Sequence, residues 1–425
     1  MDREPDGWRQ AGARLTVALG LMAGAAAAPA QDDGLAQALL QTRPLIDLRW
    51  RYEDVEQSGI ADNAHADTLR ARLGAETGAF LGTRLLAEAG LMLPVDHDYR
   101  PDNAVATYTQ YPVVADPENY AINRLQLQNT SLPGTTVTFG RQRIQLDDQR
   151  FVGNTGWRQN EVTYDAVRVV NTSVPGLTAD LTYLDKVHRI YGVDSPQGTY
   201  TGASYLINLA YQLPVGKLTG FAYLLEFDPV ARLTGALDPR LGSTSTYGGR
   251  LAGSRSFAAL SIGYVLSYAG QKPRGDNPHS FTNDYSLAEL HATAWHVTLT
   301  AGDEDLHGNG TVGFQTPLAT VHQFDGWADK FLTTPANGLD DEYASLGWSA
   351  PAFGLAPLKA TAVYRSFSAE HVDADYGHEI DLALSGTWRR YTALLQYADY
   401  AAAADTPPAL ARATTKYWAQ LEYVW

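Results

Sequence analysis

Arginines recur at alternate positions early in this chain, Arg49 with Arg51, Arg70 with Arg72 and Arg141 with Arg143, and Arg84 and Arg124 stand between them. Two-residue spacing puts side chains on one face of an extended strand. Such a row is a fixed positive surface able to attract anions and to hold a carboxylate or phosphate through paired hydrogen bonds. Lys359, Arg365, Arg389 and Lys416 add bases near the C-terminus, while Asp47, Glu53, Glu76 and Glu88 stand among the first group. Pairing that merely braces a wall therefore competes with attraction of an anion; because bases outnumber acids, anion attraction is the expectation. This is the chemistry of focusing, not of bond making.

Other chemistries are poorly provided for. The chain has no cysteine, which excludes disulfides, thiolate metal sites and a cysteine nucleophile. No Gly-x-Ser-x-Gly elbow occurs, and no enzymatic activity is expected. His371, Asp373, Asp375, His378 and Glu379 are closely spaced metal-type ligands, but solvated loop charge explains them as well; no metal and no cofactor is expected. With 47 acids against 32 bases and a formal net charge of −15, nucleic acid is an improbable partner.

The elements that must position the arginines have a period of two. Ile46, Leu48, Trp50 and Tyr52 oppose Asp47, Arg49, Arg51 and Glu53; Tyr417, Ala419, Leu421, Tyr423 and Trp425 oppose Lys416, Gln420 and Glu422. Eighteen such segments begin near residues 45, 66, 80, 121, 135, 160, 177, 202, 216, 243, 258, 284, 296, 340, 357, 376, 390 and 412. Each has one apolar face, often aromatic at its ends, and one polar face. Before them, Arg9 and Arg14 precede an Ala-rich apolar stretch closed by Ala28-Pro29-Ala30, the pattern of a secretory leader over 1–30. Residues 31–425 then read as an all-β, antiparallel transmembrane barrel of about eighteen strands in the bacterial outer membrane.

Connections alternate in length. Leu132-Pro133-Gly134, Val174-Pro175-Gly176, Leu213-Pro214-Val215-Gly216 and Trp388-Arg389-Arg390 are tight reversals, assigned to the periplasmic end. Long connections near 94–120 and 302–340 hold much of the acidic excess and are assigned to the outside. Because the last strand of a barrel pairs with the first, the bases of both chain ends are expected on one wall. The predicted pore lining is Arg49, Arg51, Arg70, Arg72, Arg84, Arg124, Arg141, Arg143, Arg365 and Arg389. Arg158, Trp157, Trp327 and Lys330 are expected to narrow the mouth.

Two segments resemble a known family. The stretch from Gly140 to Glu161, GRQRIQLDDQRFVGNTGWRQNE, resembles the signature of the bacterial alginate export family of outer-membrane barrels. Thr316-Pro317-Leu318-Ala319-Thr320, with His322, Phe324, Gly326-Trp327-Ala328-Asp329-Lys330-Phe331 and Gly338-Leu339-Asp340-Asp341, resembles a second block of it. The resemblance implies an 18-stranded channel whose characterised member passes an acidic polysaccharide through an Arg-rich pore. The long periplasmic turn associated with gating in that member is missing, since Trp388-Arg389-Arg390-Tyr391 is nearly a direct reversal. The expected function is passive passage of anionic solutes or acidic oligo- or polysaccharide. A general diffusion porin, or an adhesin-like surface-binding barrel with a plugged lumen, are the alternatives. Expected partners are the outer-membrane bilayer, the barrel-assembly machinery and an anionic small molecule or acidic saccharide.

Overall fold

Residues 34–404, 406–408 and 410–425 are described by a computed structural model; the expected leader lies outside them. A short helix, α1 (Leu35–Leu40), leads into β1 (Arg43–Gln57), β2 (Ala64–Glu76), β3 (Thr83–Pro94), β4 (Asn119–Asn129), β5 (Thr135–Gln142), β6 (Thr163–Asn171), β7 (Leu177–His188), β8 (Thr199–Leu213) and β9 (Gly216–Leu224). Then follow β10 (Thr244–Phe257), β11 (Leu260–Pro273), β12 (Asn283–Ala294), β13 (Val297–Leu306), β14 (Leu339–Ala352), β15 (Leu355–Ser368), β16 (Asp375–Trp388), β17 (Tyr391–Ala401) and β18 (Thr414–Val424). Every neighbour pair is antiparallel, and β1 pairs with both β2 and β18, which closes the sheet into a barrel. Closure leaves no strand with a wholly unpaired edge.

Alternation decides which side chains face outward. On β18, Tyr417 and Leu421 are exposed outside, whereas Lys416, Trp418 and Gln420 are buried inside. On β16, Ile380, Leu382 and Leu384 face outward and Glu379 and Asp381 inward. Exposed aromatics ring both ends of the apolar band, Phe257, Trp295, Phe353, Trp388 and Trp425 at one, Tyr120, Tyr268, Tyr364 and Tyr417 toward the other. Such belts sit at membrane–water boundaries. With its apolar exterior, the closed barrel is a membrane-spanning one.

All tight reversals lie at one end. They occupy 130–134, 172–176 and, as two-residue turns, 214–215, 258–259, 295–296, 353–354 and 389–390. Strands launched by Pro-Gly-type turns begin where the sequence places them, at Thr135, Leu177 and Gly216. The opposite end carries the long connections 95–118, 143–162, 225–243 and 307–338. One assignment changes: Asp303, Glu304, Asp305 and Asp340, expected in a loop, belong to β13 and β14.

Two of the long connections fold into the barrel. Residues 143–162 and 307–338 meet at a parallel bridge between Val152 and Leu318, where Gly153 N donates to the Leu318 carbonyl at 2.8 Å. Glycine is required there, because a Cβ at 153 would lie 2.2 Å from Thr320 Oγ1. Phe151 anchors the first connection against Phe221 and Tyr285, with ring centroids 5.0 and 5.1 Å away. Phe331 anchors the second against Phe367 at 4.6 Å. Fully burying the Phe331 ring contributes about 1.5–3 kcal/mol, and the partly buried Phe151 less. The two segments singled out by family resemblance are thus the two that converge inside the lumen.

Candidate permeation pathway

The arginines of β1 and β2 stand inward and in register. Arg49 lies opposite Arg70, and Asp47 opposite Arg72; across the seam Arg49 faces Glu422 and Arg51 faces Gln420. Arg49 and Arg70 share one oxygen of Glu422, at 2.8 and 2.9 Å, and Arg70 also binds Asp47. Arg72 approaches Glu161 at 3.4 Å, and Arg51 approaches Asp116 at 3.8 Å. The same groups hold the first inward loop. Arg49 donates to the Gly156 and Trp157 carbonyls at 3.2 and 3.1 Å, Arg72 to that of Gln159 at 3.2 Å, and Arg51 lies over the Trp157 ring at 4.1 Å. Much of the basic wall is therefore engaged in positioning the loop, the bracing role that competed with anion attraction in the sequence.

Other predicted residues divide. Arg124 faces inward and pairs with Glu88 at 2.6 Å, and Arg143 pairs with Glu161 at 2.6 Å. Arg84 shares their face near the tight-turn end and is exposed. Arg141 is a correction. It follows Phe139 by two and lies opposite Leu125, both exposed on the outer surface, so it faces outward and pairs with Asp165 at 2.8 Å. Arg389 is another. It occupies the turn before β17 at φ +55° and lies over the Trp388 ring, 4.8 Å from its centroid, not in the pore. Arg365 faces inward, but among acids rather than on the basic wall: it binds Asp341, with Asp381 at 3.9 Å.

Those acids form an arc of their own. Glu304 on β13 lies opposite Asp341 on β14, and Asp325 reaches in from the loop until the three carboxylates have oxygens within 4.8 Å of one another. Arg150 spans Glu304 at 2.7 Å and Asp325 at 3.0 Å. Neighbouring positions point outside: Asp303 lies opposite Glu342 and Asp305 opposite Asp340. Of the close ligand group noted in the sequence, Glu379 is inward and buried while His378 is exposed beside Tyr364, so its members do not converge.

The two inward loops and the basic wall meet at one point. Arg158 reaches Glu53 at 3.0 Å and Asp329 at 2.9 Å, and Asp329 also takes Lys416 at 2.7 Å and His322 at 2.8 Å. Burial disfavours the Asp329 carboxylate, yet Lys416, His322 and Arg158 hold it well below the ordinary range. Burial likewise lowers His322 from 6.5, against the pull of Asp329. Glu161, which burial would raise, is held at about 2 by Arg72 and Arg143. His322 stacks on Trp157 at 4.1 Å and 7°, with Trp418 edge-on at 5.7 Å.

This septum separates two cavities. The one toward the long loops, about 430 Å³, is lined by Arg158, Arg189, Tyr191, Tyr200, His279 and Asp329; the other, about 380 Å³, by Gln145, Gln149, Asn154, Trp157, Trp327 and Gln396. His322 belongs to both. Trp157 and Trp327 line the inner cavity and Arg158 the outer one, on either side of this septum. Lys330 is turned to the wall instead: it donates to the Arg412 carbonyl at 2.9 Å and to Thr414 at 3.1 Å, and burial brings it down to about 8. Trp418 and His322 were not selected from the sequence, though Trp418 shares the parity of Lys416 and Gln420. His322 stands in the sequence only as part of the second block of the family resemblance.

No protein-family model matches the chain, and no curated protein sequence does. Solved structures are similar throughout. Pseudomonas aeruginosa OccK9 (OpdG) is 13% identical with a TM-score of 0.72 over 91% of this chain and 99% of that one. The outer membrane protein opdK of the same organism is 13% identical, TM-score 0.68, over 91% and 99%. Acinetobacter baumannii OccAB4 is 14% identical, TM-score 0.65, over 91% and 98%. The shared fold is that of a bacterial outer-membrane porin.

Proposed function

We propose that this chain is an outer-membrane channel for small anionic solutes, working by electrostatic attraction without covalent chemistry. The observation that carries the reading is in the outer cavity. Among the charged groups lining it, Arg158 and Asp329 neutralise one another and Asp238 is held by Arg240 at 2.7 Å, whereas Arg189 has no carboxylate within 4 Å among the described residues. It bonds instead to Gln197 and Tyr200, at 3.1 and 2.6 Å, with its guanidinium over the Tyr200 ring at 4.3 Å. An anion entering the outer cavity meets this cation first. In a partly dry site, an opposite charge at about 5 Å is worth about 3 kcal/mol at an effective dielectric of about 20.

The cavities are of small-molecule size, which favours a compact solute over a threaded acidic polymer of the kind the alginate family resemblance implies. The amide and Trp lining of the inner cavity supports a second reading, passage of hydroxylated solutes such as small saccharides. Reversal potential in a planar bilayer under a KCl gradient tests the first: wild type is expected to prefer anions, and Arg189→Glu to lose much of that preference. A cation-preferring wild type, or an unchanged potential in the variant, overturns it.

A further inference from the structure

The barrel wall is incomplete at one place. β5 pairs with β4 only from Val137 opposite Asn129 to Arg141 opposite Leu125, while β4 stays paired with β3 as far as Asn119 opposite Met92. The edge of β4 over residues 119–124 therefore has no strand beside it. A side chain satisfies one of its carbonyls, Arg141 Nη1 donating to Ile122 at 2.9 Å, and the Asn119 side chain ties its upper end to the loops, Nδ2 donating to Asn160 Oδ1 and Oδ1 accepting from Val193 N, both at 3.2 Å.

A narrow crevice of about 40 Å³ follows this edge. It touches Ala121, which faces the lumen, and Ile122, which faces outward; it also touches Gly90 and Leu91, again one of each. Adjacent side chains on a strand point to opposite faces, so the residues bordering the crevice come from both sides of the wall. Exposed Leu125 and Leu127 continue below it on the outer surface and exposed Tyr120 marks its top, which places the outer opening in the upper part of the apolar band.

We propose that this crevice is a side portal between the lumen and the outer leaflet, and that it admits a single-chain amphiphile with an anionic headgroup. The polarity of the lining carries the choice of ligand. Arg70, Arg72, Arg141 and Arg189 line the crevice with one carboxylate, Glu161, while Leu91 and Ile122 border it from the outward face. A headgroup is drawn toward the guanidinium groups and an alkyl tail stays in the bilayer. In the closed geometry the space suffices for a few water molecules. Its latch is Arg141, held by Asp165 at 2.8 Å, which is itself held by His188 at 2.9 Å. Releasing Arg141 frees the Ile122 carbonyl and opens the seam without breaking any strand ladder.

The lack of native cysteine makes the test direct. The full chain with Ala121→Cys carries a fluorophore on the lumen side of the crevice, and with Ser345→Cys it carries one on the lumen side of β14; both are reconstituted in phosphatidylcholine vesicles. Stearate bearing a nitroxide near its headgroup is expected to quench the first label several-fold more than the second, and phosphatidylcholine bearing the same nitroxide to quench the first label far less. Arg141→Ala is expected to increase quenching by stearate at 121, with barrel folding checked by heat-modifiable gel mobility. Equal quenching at 121 and 345, or equal quenching by the two nitroxide lipids, overturns the portal irrespective of the variant.

Discussion

Replacing Arg158 by methionine removes the group that ties both inward loops to β1 while keeping similar bulk. Its side chain is 7% exposed, and its partners Glu53 and Asp116 are each 1% exposed. Losing one partner of a buried ion pair costs about 3–5 kcal/mol, because the other charge is left in a poor medium. Compensation is partial here: Lys416 lies 4.0 Å from Glu53 and 2.7 Å from Asp329, and Arg51 lies 3.8 Å from Asp116. The low end, about 3 kcal/mol, is therefore expected. Since each 1.4 kcal/mol is tenfold, loop opening should become about a hundredfold more populated. Hydrogen exchange reads this directly, because Gly153 N bonds to Leu318 and Val162 N to the Asn154 carbonyl. Those amides should exchange about a hundredfold faster, while amides in the β7–β8 and β10–β11 ladders stay unchanged. Glu53→Gln combined with Arg158→Met should recover part of the loss. Unaltered loop exchange, or uniform acceleration through the barrel, would refute the view that this ion cluster holds the loops.

Three further outcomes are expected. Gly153→Val places a side chain against Thr320 and should leave the barrel folded while exposing 143–162 to protease, as judged by cleavage of the folded protein. Acidification should loosen the septum: His322 is depressed below 6.5 in the fold, so the unfolded segment binds more protons in that window, and stability is retained above about pH 6.5 and falls below it; single-channel conductance against pH should show this, and His322→Gln should flatten the change. Glu161, held at about 2, keeps its loop contacts through ordinary acid and should release them only as pH falls from about 4.5 toward 2, visible as late loss of protection at 160–162.

The strand count and the two faces were legible because a lipid-facing strand must alternate and a tight reversal needs particular residues. Leu132-Pro133-Gly134 and Val174-Pro175-Gly176 mark strand starts closely, whereas β6 and β8, which border register shifts, begin a few residues away from where they were read. Arg141 and Arg389 were grouped with the pore by charge. Counting by two from Phe139 would have turned Arg141 outward, and a two-residue turn removes Arg389 from either face. Arg365 was placed on the correct face with the wrong neighbours, since the acids around it arrive partly from Asp325, in a distant loop. The constriction itself is the least legible part: Arg158 joins Glu53 and Asp329 across sequence separations of 105 and 171 residues, and no local pattern encodes such partners.

The acidic ladder between β13 and β14 has a consequence for how the barrel is assembled. Asp303-Glu304-Asp305 runs against Asp340-Asp341-Glu342, with alternate members inside and outside. A slip of one residue exchanges the faces yet presents nearly the same chemistry, so this ladder cannot proofread its own frame. Leu306 opposite Leu339, both fully buried, and Ala301 opposite Ala344 on the outside must do so, with Tyr285 donating to Glu304 at 2.7 Å as the check from the neighbouring strand. Insertion errors in this barrel should concentrate here, where the sequence is most nearly indifferent to its own phase.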